Sequence, residues 1–110
     1  MNLGCLATIA SYPANFYLII IDNGLYEVTG GQPRVGAGRV DFAGLAHATG
    51  IARTYTFTTR DGWQAGAAEA LSGSGPGVIV LSVEGKYGQK TPTAPRPMAE
   101  QIRRFQEALK

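Results

Sequence analysis

The chain alternates between apolar runs that suit buried strands and amphipathic stretches that suit helices. Leu3 to Ser11 is helix-compatible, with Leu3, Leu6, Ala7 and Ala10 along one face, and Pro13 is expected to end it. Phe16 to Ile21 is β-rich and apolar, as expected of a strand covered on both faces of a parallel sheet. The glycine-rich stretch from Asn23 to Val40 shows no period and is predicted to be one long loop, which in a compact domain goes with function or mobility. Asp41 then suits the N-cap of a helix through Thr49, with Phe42, Leu45 and Ala46 facing inward and Gly50 as the stop.

Further along, Arg53 to Phe57 alternates polar and apolar residues as a strand, with Tyr55 and Phe57 on one face. Thr59 or Asp61 opens a helix ending near Leu71, which presents Trp63, Ala67, Ala70 and Leu71 to the core. Gly77 to Val83 is a second apolar run and so another buried strand. Beyond a connection from Glu84 to Pro97, the last helix carries Met98, Ile102, Phe105 and Leu109 in one stripe, which should cover an edge or face of the sheet. Its i, i+4 spacing predicts pairs between Glu100 and Arg104 and between Arg103 and Glu107.

This order predicts an α/β fold, a three-layer sandwich with a mainly parallel sheet, right-handed crossovers and helices on both faces. At 110 residues, one domain is expected. A composition of 45% hydrophobic and 16% charged residues is too apolar for a disordered chain and too polar for a membrane protein. No secretory or membrane-spanning pattern is visible, so a cytoplasmic location is the default expectation. The net charge of +2 is scattered, which argues against nucleic acid as the main partner.

Candidate chemistry gathers after the first strand. Ligands of parallel sheets bind beyond the strands' carboxyl ends, and Asp22-Asn23-Gly24 would sit there. Alone, the triplet reads as a turn, since Asp and Asn bond their own backbone and Asn-Gly is a common turn dipeptide. The following Thr29, Gly30, Gly31 and Gln32 could cradle an anion through backbone N–H groups and a side-chain amide, or the loop is simply flexible.

Asp22-Asn23 after such a strand resembles the second half of the thiamine-diphosphate signature of 2-oxoacid decarboxylases and acetolactate-synthase-like enzymes, whose first half is Gly-Asp-Gly. The run Asp-Asn-Gly-x-Tyr followed by Thr-Gly-Gly-Gln is most similar to the small subunits of sulfopyruvate and phosphonopyruvate decarboxylases, and the resemblance extends from Asn2 to the last helix. It implies thiamine diphosphate and Mg2+ as cofactors, with the Asn23 side-chain oxygen and the Leu25 backbone oxygen as metal ligands. Gly24, Tyr26, Thr29, Gly30 and Gly31 would also contact the cofactor, Gly24 by letting the backbone turn tightly. No Gly-Asp-Gly stands upstream of Asp22, and the motif's spacing places it just before Met1. By that comparison the chain is expected to be a partial domain lacking its first strand, prone to self-association, weak in cofactor binding at best and inactive alone. The resemblance further implies a pyrimidine-binding subunit or domain as partner, which would carry the activating glutamate; Glu27 is not assigned that role. A non-catalytic α/β anion-binding or protein-interaction domain is the alternative.

Other residues offer less. His47 reads as a partly exposed surface residue and Cys5 as a small packed hydrophobe. Gly36-Ala37-Gly38 lacks the strand and the third glycine of a dinucleotide site. No catalytic residue is named.

Overall fold

The computed structural model describes residues 3–12, 14–86 and 96–109. Within these, α1 (Gly4–Ser11), β1 (Tyr17–Asp22), a short β2 (Leu25–Tyr26) and β3 (Gln32–Pro33) are followed by α2 (Phe42–Ala48), β4 (Arg53–Phe57), α3 (Arg60–Leu71), β5 (Gly77–Ser82) and α4 (Met98–Ala108). The main sheet is parallel with strand order β1-β5-β4. β5 is central, which is why its Val78, Ile79 and Val80 are buried and why its sequence is apolar without alternation.

Register explains which residues share each face. Leu18 lies beside Val78 and Ile20 beside Val80, and these positions pack with Leu6 of α1 and with Phe42, Ala46 and Ile51 on one side of the sheet. On the other side α3 lies over β4 and β5, and the Phe57 ring meets Trp63 edge-on at 5.3 Å. Gly66 makes this approach possible, since a Cβ there would stand 2.6 Å from the Phe57 ring. Full burial of a side chain such as Ile79 contributes about 1.5–3 kcal/mol.

Helix boundaries follow their caps. The Asp41 side chain accepts from the Gly44 N–H at 2.9 Å, and the Thr59 hydroxyl accepts from the Gly62 N–H at 3.1 Å, so Thr59 rather than Asp61 opens α3. Gly50 has a φ of +100°, as the stop after α2 requires. Asp41→Ala is expected to lower stability by about 1 kcal/mol through loss of its cap, measurable by chemical denaturation. An unchanged midpoint would show that α2 is held by Phe42 and Ala46 alone.

Several expectations are corrected. The stretch from Asn23 to Val40 is not one structureless loop, because β2 and β3 pair antiparallel around a short 3-10 turn, Glu27–Thr29. Cys5 is exposed, since only Leu6 of α1 is buried. Leu45 and Leu71 are 37% and 44% exposed, while their small neighbours Ala46 and Ala70 fill the core positions. α4 buries no residue, and its stripe lies open instead of covering the sheet, with Met98, Ile102, Phe105 and Leu109 at least half exposed. Glu100 pairs with Arg96 at 3.4 Å, one turn earlier than Arg104. Pro13 and most of the Glu84–Pro97 connection lie outside the described residues.

β1 is also bare on its α3 side, with Ile19 45% and Ile21 63% exposed. His47 is exposed as expected. At the amino ends of the strands, remote from the turn after β1, Arg53 Nη2 donates to the carbonyls of Ala70 and Ser72, and the Tyr17 hydroxyl donates to the Gly73 carbonyl at 2.9 Å. These bonds tie the end of α3 to the sheet.

Candidate functional site

β1 ends at Asp22, and the chain turns at once through two side-chain-to-backbone bonds. Asp22 Oδ1 accepts from the Gly24 N–H at 3.1 Å and Asn23 Oδ1 accepts from the Leu25 N–H at 3.0 Å. Gly24 has a φ of +70° with open space where a Cβ would stand, so the backbone angle, and not crowding, calls for glycine.

The hairpin beyond this turn presents Leu25 in a particular way. The Arg34 N–H donates to the Gly24 carbonyl at 2.8 Å, while Leu25 stands opposite Pro33, which has no N–H. Leu25 therefore occupies a non-hydrogen-bonded position of the ladder, and its own N–H and C=O point away from β3. The Leu25 carbonyl thus leaves on the edge where Asn23 Oδ1 already sits. An amide oxygen has two lone pairs, so Asn23 Oδ1 retains acceptor capacity after taking the Leu25 N–H.

Two hard oxygens side by side, one amide and one backbone carbonyl, match the donor preference of Mg2+. They make only part of a coordination shell, and Mg2+ usually completes its own with water and phosphate oxygens. Among the described residues no cluster of three or more His, Cys, Asp or Glu offers a metal site. The set therefore fits an ion carried in on a diphosphate better than one held by the protein alone.

Tyr26, Thr29, Gly30 and Gly31 are brought together at the hairpin tip, but their hydrogen bonds turn inward. The Tyr26 carbonyl accepts from the Gly31 N–H at 2.8 Å and from the Thr29 hydroxyl at 3.4 Å, the Gly30 N–H donates to Glu27, and Gln32 Nε2 donates to the Thr29 carbonyl. Gly30 and Gly31 have φ values of +120° and +75°, which explains the glycine pair at this turn. Val28 at the tip, wholly exposed, Tyr26, 47% exposed, and Val35 just past the hairpin, 82% exposed, give this segment apolar surface.

Residues outside the predicted site hold the turn in place. Arg34 grips Asp22 with Nε on Oδ1 at 3.2 Å and Nη2 on Oδ2 at 3.0 Å, and its guanidinium lies 4.7 Å from the centre of the Phe42 ring. The segment after β5 runs alongside, with the Val83 N–H on the Asp22 carbonyl at 2.9 Å and the Lys86 N–H on Glu27 Oε1 at 3.1 Å. Gly85 in the same segment packs close to the turn, since a Cβ there would lie 2.6 Å from the Asn23 carbonyl oxygen. Beside the turn is a depression of about 280 Å³ lined by Leu3, Tyr26, Arg34, Val35, Val40 and Phe42.

Comparison with known proteins shows the family. The family model described as "Thiamine pyrophosphate enzyme, C-terminal TPP binding domain" matches residues 1–81, which include the whole turn, the hairpin and most of β5. The chain belongs to this family. It is also 34% identical over 84 residues to a phosphonopyruvate decarboxylase of Streptomyces viridochromogenes and 37% identical over 84 residues to one of Streptomyces hygroscopicus. Each alignment covers 76% of this chain and 21% of the relative, so the chain spans about a fifth of the length of these curated relatives.

Membership gives the parallel sheet and its flanking helices their context as those of a thiamine-diphosphate-binding domain. No helix among the described residues is long and apolar enough to cross a membrane.

Proposed function

We propose that this chain is the diphosphate- and Mg2+-holding part of a thiamine-diphosphate-dependent 2-oxoacid decarboxylase of the sulfopyruvate or phosphonopyruvate type. The observation that carries the reading is the turn after β1, where Asn23 Oδ1 and the Leu25 carbonyl share one edge at the carboxyl end of a parallel strand. In this role Asn23 and Leu25 hold the ion, and Gly24 sets the bend between them. Tyr26 and the Thr29-Gly30-Gly31 tip contact the cofactor through surface, since the Gly30 and Gly31 N–H groups serve the hairpin. When bound, thiamine diphosphate supplies the electron sink for loss of CO2 from the 2-oxoacid.

A pyrimidine-binding domain or subunit completes the site in a homo- or hetero-oligomer. The depression beside the turn, at about 280 Å³, is smaller than a usual ligand site of roughly 300–1,000 Å³. The apolar collar of Tyr26, Val28 and Val35 is the kind of surface a partner covers. The same collar favours the second reading, a non-catalytic domain that uses the hairpin tip to bind a protein.

The purified chain alone is expected to turn over none of phosphonopyruvate, sulfopyruvate and pyruvate in the presence of thiamine diphosphate and Mg2+, as followed by CO2 release. Addition of a pyrimidine-binding subunit should start turnover. Release of CO2 by the chain without any partner would overturn the two-domain reading, and cofactor-independent binding of a partner with no turnover would favour the second one.

A further inference from the structure

The Asp22–Arg34 ion pair lies against the proposed metal-side oxygens without supplying either of them. We propose that Arg34 is a positioning residue, which holds the Asn23–Leu25 edge in place and keeps the Asp22 carboxylate away from the cofactor's ion. The inference rests on the metal-side reading of the turn given above.

Five contacts of Arg34 carry it. Both Asp22 oxygens are occupied, Oδ1 by the Gly24 N–H and Arg34 Nε and Oδ2 by Arg34 Nη2. Arg34 Nη1 donates to the Val35 carbonyl at 3.0 Å, and the Arg34 backbone N–H closes the loop on the Gly24 carbonyl. The Phe42 ring against the guanidinium fixes its plane and links the loop to the first turn of α2. The pair is largely shielded, with side-chain exposures of 10% for Arg34 and 19% for Asp22, so solvent screens it less than a surface pair.

The chemistry gives the grip a purpose. Released from Arg34, the Asp22 carboxylate would be a hard anionic oxygen one residue from Asn23, able to compete for Mg2+ and to repel a diphosphate. The guanidinium fork satisfies both carboxylate oxygens in one plane and neutralises the charge. Lysine, a point charge on a flexible stem, replaces the charge but not the fork.

Amide hydrogen exchange on the full chain, followed by NMR without cofactor, tests this in the wild type, Arg34→Gln and Arg34→Lys. Gly24 and Leu25 report on the turn, and Val78, Ile79 and Val80 report on the whole fold. Arg34→Gln is expected to speed exchange at Gly24 and Leu25 roughly tenfold while leaving the three β5 amides within about twofold, with Arg34→Lys in between. Unchanged exchange at Gly24 and Leu25, equal acceleration at all five amides, or an Arg34→Lys chain identical to the wild type would overturn the proposal. In a second arm, Mg2+ and thiamine diphosphate are titrated into the same chains, and Arg34→Gln should need roughly tenfold more cofactor for the same shift at Leu25. Equal midpoints would overturn the role toward the ion. A wild-type chain whose cofactor-induced shifts fall away from Asn23 to Tyr26, while its variant still loses protection, would sink the cofactor reading and leave the grip itself standing.

Discussion

Gly85→Ala is expected to disturb the candidate site strongly. The new Cβ would stand 2.6 Å from the Asn23 carbonyl oxygen and 2.8 Å from Leu25 Cδ1. Leu25 can rotate away, but the Asn23 oxygen belongs to the backbone and moves only if the turn moves. Overpacking of this kind costs about 1–3 kcal/mol. Urea unfolding followed by Trp63 fluorescence reads the loss, since Trp63 packs on Phe57 away from the turn and reports the global transition. The amide signals of Asn23 to Tyr26 should shift at the same time. Wild-type stability with unshifted turn signals would mean that the segment after β5 does not press on the turn.

The elements that bury a face were legible in the sequence, and so were their ends. β5 is an apolar run because a central parallel strand is covered on both sides, whereas β1 carries the same apolar pattern with Ile19 and Ile21 exposed on one face; Asp41 and Thr59 mark helix starts because each supplies an acceptor for an orphan N–H. The hairpin was not legible. β2 and β3 have two residues each, too few to show a period, and their pairing depends on bonds such as that from Arg34 to Gly24. The stripe of α4 announced that a face needs a cover, but periodicity does not say what provides it, and in this chain the stripe is open.

The site was legible in part, and for a clear reason. Asn23 and Gly24 act through local geometry, an Asx turn and a positive φ, and local geometry leaves its mark on the residue types used. Arg34 and Gly85 act across the fold. An isolated arginine has no visible partner twelve residues earlier in the chain, and Gly85 sits in a connection where glycine looks like ordinary loop chemistry. Cys5 failed in the opposite way, since the spacing of Leu3, Leu6, Ala7 and Ala10 suggests a broad buried face where only Leu6 is fully buried and Ala10 partly so.

Asn23→Ala is the other change with a large expected effect. It removes a proposed metal-ligand oxygen and also the acceptor of the Leu25 N–H, so the Leu25 carbonyl loses its fixed direction. Loss of one of two protein oxygens on a hard cation should weaken Mg2+-dependent cofactor binding more than tenfold, or by more than about 1.4 kcal/mol. Asn23→Asp keeps both an oxygen ligand and the turn and should retain binding. NMR titration into the millimolar range separates these outcomes even when the free chain binds weakly. Equal midpoints for the wild type and Asn23→Ala would remove Asn23 from the site.

The most direct test of the central claim replaces Mg2+ by Mn2+, a paramagnetic ion that takes the same octahedral oxygen donors. It follows line broadening of every backbone amide with and without thiamine diphosphate. A metal-diphosphate site at the end of β1 predicts that thiamine diphosphate draws the broadening to Asn23, Gly24, Leu25 and Tyr26, while Thr54 to Thr56 of β4 stay sharp. Broadening that ignores thiamine diphosphate and spreads over acidic positions such as Asp61, Glu69 and Glu107, with Asn23 to Leu25 untouched, would contradict it.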